Sequence, residues 1–160
     1  MYDIATECPS EEIRKQATMV GFATMVLLQS KKYSLFHILT IKIWLEQAIM
    51  LDQIKFYFDW NGHPIGYVTW AYLAEDVEKR LVEDPDFVLH YSEWNEGGNA
   101  WIIDFCMPTG NAKEGLRYFF EHISETYSGS LSWARRGSNN KVRKVSSINM
   151  KTRNYTSKCV

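Results

Sequence analysis

Between Ala100 and Gly110 the chain reads Ala-Trp-Ile-Ile-Asp-Phe-Cys-Met-Pro-Thr-Gly, and this stretch constrains the fold more than any other. The run from Ala100 to Cys106 is apolar and rich in aromatic and β-branched residues, the composition of a buried strand. Pro108, Thr109 and Gly110 end it. Asn111, with Glu114 three residues later, has the spacing of a capping box that opens a helix. A buried strand turning straight into a helix is a unit of α/β architecture. One carboxylate, Asp104, stands in the middle of the run. On a regular strand Ile102, Asp104 and Cys106 share one face, and Trp101, Ile103 and Phe105 take the other. An ionised carboxylate in such company is costly unless it is paired. Asp104 is therefore expected in a cleft beside a catalytic partner, or against an Arg or Lys of a neighbouring strand.

The elements around this unit follow from periodicity. Pro9-Ser10-Glu11-Glu12 reads as a helix start, and Ile13, Ala17, Val20, Thr24, Leu27 and Leu28 carry the helix to about Gln29. A second helix is expected from Ser34 as its cap through Ile38, Ile41, Leu45, Ala48 and Ile49. The period then changes. Ile54 to Trp60 and Ile65 to Trp70 flank Asn61-Gly62-His63-Pro64, a strong hairpin signal. Ala74 to Val82 reads as a short exposed helix, and Glu93 to Asn99 as a loop. Leu116, Phe119, Phe120, Ile123 and Tyr127 mark one face of the clearest helix. Leu131 to Arg135 and Lys141 to Ile148 are two more strands around a Gly137–Asn140 turn. A polar, loose tail is expected from about Asn149. This order gives one α/β domain over residues 1–148, a mixed sheet flanked by helices, with 149–160 as the tail.

Composition sets further bounds. A chain of 160 residues, 46% hydrophobic and 14% aromatic, can bury a core and is not a disordered polymer. A net charge of −1 argues against nucleic acid as a partner. The C-terminal part is nevertheless basic: no Asp or Glu follows Glu125, while Arg135, Arg136, Lys141, Arg143, Lys144, Lys151, Arg153 and Lys158 do. This is either a solvated face or a docking surface for an acidic partner. Cys8, Cys106 and Cys159 form no CxxC pair, which suits a reducing cytoplasm and gives no metal or disulfide framework. Met1-Tyr2-Asp3-Ile4 lacks a basic region followed by an apolar core, so no secretory signal is expected. The apolar stretch from Leu35 to Leu51 is broken by His37, Lys42 and Glu46, so no membrane span is expected. Ligands of such sheets gather at strand ends and helix N-termini, which makes Thr109, Gly110 and Asn111 a natural site for a carbonyl or phosphate.

Several short motifs, taken together in order and spacing, carry a family resemblance. They are Gln29-Ser30, Pro64-Ile65-Gly66-Tyr67, Thr69-Trp70-Ala71, Glu93-Trp94 with Gly97, Trp101-Ile102-Ile103-Asp104 and Pro108-Thr109-Gly110. With Ala48-Ile49 and Gln53 in register, the chain resembles the RTX-toxin-activating acyltransferases over roughly residues 20 to 148. These are bacterial enzymes that fatty-acylate internal lysines of a protoxin. The resemblance implies a fold like that of GNAT acetyltransferases, a cytoplasmic location, no bound cofactor, and an acyl carrier protein as donor. It also implies two catalytic residues, an Asp after the Trp-x-x pattern and a His shortly after the Gln-Ser pair. Asp104 matches the first. Tyr33 stands where the second belongs, and a phenol titrating near pH ~10 is a poor base at neutral pH. His37, four residues on, is the alternative base.

Other residues carry less. Cys106 is either an acyl-accepting nucleophile or an inert core thiol. His63 and His122 read as incidental, and Trp70, Trp94 and Trp101 as core or cleft wall. The lost His and the divergent Lys31-Lys32-Tyr33 segment favour one branch of the resemblance. In that branch a maturation enzyme, with a larger partner protein, joins a siderophore co-substrate to a microcin or other bacteriocin precursor. The alternatives are a conventional lysine acyltransferase fed by an acyl carrier protein, acting on a peptide toxin, and a non-catalytic subunit or chaperone. Arg135 and Arg136, with Arg143 and Lys144, are the candidates to receive an acidic carrier or a catecholate.

Overall fold

A computed structural model describes residues 6–31 and 38–160. Ser10 caps the first helix, α1 (Glu11–Gln29), its hydroxyl accepting from the Ile13 amide at 3.3 Å. Glu11 and Glu12 lie in the first turn, where the helix dipole favours acids. Where one further helix is expected there are two, α2 (Ile38–Trp44) and α3 (Glu46–Met50). Leu45 breaks them with φ −116°, a bend that drops Leu45, Ala48 and Ile49 into the core. The expected cap, Ser34, lies outside the described residues.

β1 (Ile54–Phe58) and β2 (Pro64–Leu73) form the expected antiparallel hairpin. The Asp59 carboxylate accepts from the Asn61 and His63 amides, and Gly62 takes φ +83°, which favours glycine there. The exposed helix follows as α4 (Glu75–Glu83), then a 3-10 turn at Tyr91–Trp94 that runs into the start of the stretch expected as loop. β3 (Asn99–Cys106) leads into α5 (Ala112–Ser124), and β4 (Ser130–Arg136) and β5 (Val142–Asn149) form the second hairpin. The tail is not loose. Tyr155–Cys159 returns as β6, paired antiparallel to β5 in the register Lys144 to Cys159. Its residues are all exposed, so no apolar pattern announces it.

The capping box expected at α5 does not form. Asn111 occupies the cap position, but its ψ of 34° is not the extended value that aims a cap side chain at the first amides.

The six strands lie in chain order, β1 to β6, with β3 and β4 parallel and every other neighbouring pair antiparallel. One face of this mixed sheet packs against α1, α3 and α4 through Val26, Ala48, Val77, Tyr67, Ala71 and Leu73. The other face carries α5, whose Phe119 and Ile123 pack on Val68, Trp70, Ile102 and Leu131. This is a single three-layer α/β domain. Truncating Phe119, which is fully buried, removes about 3–5 kcal/mol of packing by analogy with core deletions.

Candidate active site

The β2–β3 pairing decides where Asp104 points. Thr69 lies opposite Asp104 and Trp70 opposite Ile102, so Ile103 has no partner and forms a β-bulge. The extra residue reverses the alternation. Asp104 shares the face of Trp101 and Cys106, opposite Tyr67 and Ala71, while Ile102 and Phe105 face α5. Regular alternation puts Asp104 with Ile102, and the bulge overturns that expectation.

Asp104 is 8% exposed. The Tyr67 hydroxyl donates to its Oδ2 at 2.7 Å, and the Phe105 amide donates to its Oδ1 at 2.9 Å. Its own amide donates to the Thr69 hydroxyl at 3.0 Å. Charge-assisted bonds of this kind fix a carboxylate in one orientation. Tyr67 and Thr69, which stand in the Pro64–Tyr67 and Thr69–Ala71 motifs, are site residues that the sequence analysis misses. Their positions two apart on a strand, on one face, were the available signal.

β3 and β4 pair only from Ala100 to Ile102 against Leu131 to Trp133, and beyond those residues they part. Irregularities flank the opening, the Ile103 bulge on β3 and a register shift between Arg135 and Arg136 on β4. A cleft of about 610 Å³ fills the gap. Ile43, Trp44, Phe87, Trp94, Leu116 and Trp133 give it an apolar lining, and Asp104, Arg135, Arg136 and Asn140 give it a polar side.

A network outside the expected site holds the cleft wall. The Arg80 guanidinium bonds the buried Glu93 carboxylate at 2.6 Å and lies 5.0 Å from the centre of the Phe87 ring. Glu93 also accepts from the His90 amide at 2.7 Å, closing the turn that carries Trp94. Burial pushes the Glu93 carboxyl up, but the His90 amide and Arg80 outweigh it and hold it below its usual range. Trp101 Nε1 donates to Glu78, tying β3 to α4.

Arg136 lines the cleft and ties β4 to α4 and to the turn before β5. Its guanidinium donates to the Leu81 carbonyl at 2.7 Å and to the Asn140 carbonyl at 2.9 Å. Burial pulls this guanidinium below its ordinary value, with Asp84 acting in the opposite direction. Arg135 lines the same cleft but is exposed. The corner residues Thr109, Gly110 and Asn111 are exposed and do not line it; Ala112 and Leu116 are what that connection contributes. Tyr33 and His37 lie outside the described residues.

Cys106 is buried opposite Tyr67 in the core under α1 and α3 and does not line the cleft. His63 sits 3.5 Å from Asp59 in the hairpin turn. His122 packs against Trp70, and burial, with Lys55 nearby, lowers its pKa. Among the described residues no His, Cys, Asp and Glu group is arranged to hold a metal, and no helix is long and apolar enough to cross a membrane. An apolar cleft with a fixed carboxylate on its wall and a guanidinium in its lining suits a ligand with a hydrocarbon chain and an anionic or carbonyl head.

Comparison with known proteins supplies the family. The model of the RTX toxin acyltransferase family matches residues 12–149. An uncharacterised protein of Synechocystis sp. is 30% identical over 97 residues, covering 60% of this chain and 65% of that protein. The RTX-II toxin-activating lysine-acyltransferase ApxIIC of Actinobacillus pleuropneumoniae is 34% identical over 80 residues, 50% of this chain and 46% of its own length. The lysine-acyltransferase RtxC of Vibrio cholerae is 27% identical over 92 residues, 56% and 60% respectively. The chain thus spans about half to two thirds of the length of these relatives.

Proposed function

The chain belongs to the RTX toxin acyltransferase family, and from that premise we propose that it moves an acyl group from an acyl carrier protein to a lysine of an RTX-type protoxin. The observation that carries this reading is Asp104, turned by the Ile103 bulge onto the wall of an apolar cleft and held by Tyr67. The lysine amine attacks the thioester carbonyl, a C–N bond forms, the C–S bond breaks, and the carrier thiol leaves with a proton. A lysine arrives mostly as ammonium at neutral pH, so a base must first take a proton from it. We assign His37, which lies between α1 and α2 in the sequence, as that base, and Asp104 as the carboxylate that stabilises the positive charge developing in the transfer.

Tyr33 in place of the family's His is the feature that points to joining a siderophore to a microcin. The named relatives are lysine acyltransferases, so lysine acylation takes precedence here.

Intact-mass spectrometry of an RTX protoxin fragment, co-expressed with this protein and a carrier, tests the proposal. The expected result is a gain of one fatty acyl group that disappears with Asp104→Ala. A larger gain, matching a siderophore and dependent on a further protein, moves the assignment to bacteriocin maturation. No gain in any combination leaves the non-catalytic reading in possession.

A further inference from the structure

All nineteen acidic residues lie at or before Glu125, so the sheet from β4 onward is basic throughout. Within it, Arg135, Arg136, Lys141, Arg143 and Lys144 gather on one hairpin, at the end of β4, its turn and the start of β5. Arg135 pairs across the ladder with Lys144, and the Arg143 side chain lies over Gly137. Like charges directly opposite one another destabilise a sheet, so the Arg135–Lys144 pair does not stabilise this hairpin. Among the described residues none of these cations forms an ion pair. Before β4 all three described arginines, Arg14, Arg80 and Arg117, have carboxylate partners, and so does Lys15.

The position of the patch is as informative as its charge. β3 and β4 run parallel, so Asp104 and Arg135 lie toward the same, C-terminal end of the two strands, where the cleft opens. Arg135, Arg136 and Asn140 belong both to the hairpin and to the lining of the cleft. A partner seated on the hairpin therefore sits at the entrance of an apolar cleft that leads to the fixed carboxylate.

We propose that this β4–β5 hairpin is the docking surface of the acidic carrier protein that delivers the acyl group. This rests on the carrier-dependent reading above and adds to it the place where the carrier binds. Charge complementarity singles out this partner. The occupant must be acidic at its surface to match unpaired cations, and it must extend a thin thioester arm past Arg136 into the cleft. The carrier's phosphopantetheine arm has that form, with its phosphate near the guanidinium and its acyl chain among Trp44, Trp94 and Trp133. Such a surface sets association rate and partner choice more than it adds affinity, and it is screened by salt.

The test is binding of fluorescently labelled holo-acyl carrier protein, followed by anisotropy at about 50 mM and about 300 mM salt, where screening differs strongly. The variant is Lys141→Glu with Arg143→Glu and Lys144→Glu, checked for native circular dichroism. It is expected to bind about tenfold or more weakly at low salt, with the gap narrowing at high salt. Lys141→Arg with Lys144→Arg keeps the charge and is expected to bind as the native protein does. A carrier with its surface acids changed to lysine is expected to recover affinity for the triple variant. Native-like affinity and salt dependence in the triple variant overturn the docking surface while leaving the carrier as donor. A native protein that does not bind the carrier at either salt concentration overturns the donor reading, and the docking surface with it.

Discussion

At the scale of single residues, Asp104 is held rather than merely buried, and its holders make the role testable. Tyr67 is fully buried and its hydroxyl has a bond to the Asp104 Oδ2 at 2.7 Å. Tyr67→Phe keeps the ring and its packing but removes that donor. Loss of a bond to a charged group costs about 1.5–3 kcal/mol of stability, and a loosened carboxylate lowers acyl transfer by about tenfold or more. Asp104→Asn is expected to cut transfer by about 10²–10⁴-fold while leaving circular dichroism native. Progress curves for both variants, with thermal melts, check the pair. Equal rates for native protein and Asp104→Asn would remove Asp104 from the mechanism. That a carboxylate stands buried in this strand was legible in sequence, because it interrupts an apolar run. Its orientation was not legible. The Ile103 bulge leaves no local signature, since any residue can be the extra one and only the partner strand reveals the count.

At the scale of elements, the helices and hairpins were legible wherever one face is buried. α1, the β1–β2 hairpin, α4 and α5 fall where periodicity puts them, because burial on one side imposes a period on the sequence. The 3-10 turn at Tyr91–Trp94 was hidden, as it is held by polar bonds instead of an apolar stripe. Glu93 is its centre, accepting from His90 and Arg80. A carboxyl held below its ordinary value of 4.5 stabilises the fold above that pH, and the contribution is lost as pH falls through the folded value. Glu93→Gln is therefore expected to lower the melting temperature at pH 7 and to make it less sensitive to acid below about pH 4.5. Parallel melting curves for native protein and Glu93→Gln would count against this if they stayed parallel down to pH 3. Beside this turn, Gly97 donates to the Tyr72 carbonyl, and a Cβ there would stand 1.8 Å from the Leu73 carbonyl oxygen. Backbone cannot yield as a side chain does, so Gly97→Ala is expected to cost about 3–4 kcal/mol, or about 10 °C in melting temperature.

At the scale of the whole molecule, one sheet carries two differently built halves. Every acid lies before β4, while the chain from β4 onward carries eight of the eighteen Lys and Arg, no acid, and a fully exposed last strand. That division explains why the sixth strand escaped the sequence reading: an edge strand with no buried face has no period to read. It also states what β6 is for. Its contacts are the ladder to β5, the Tyr155 ring 6.0 Å from Trp133, and the Tyr155 hydroxyl 3.0 Å from that of Ser146. Cross-strand contacts of this sort contribute a few tenths to about 1 kcal/mol each. Removing residues 151–160 should thus lower the melting temperature by only about 3–6 °C. The larger effect falls on association. The loss bares the edge of β5 from Lys144 to Ile148, and unprotected edges pair with other chains. The shortened protein is expected to elute partly as dimer or larger species in light-scattering chromatography. It should still bind the carrier, because the Arg135–Lys144 hairpin remains. If instead the shortened protein stays monomeric and loses the carrier, β6 is part of the docking surface and not a cover for the edge beside it.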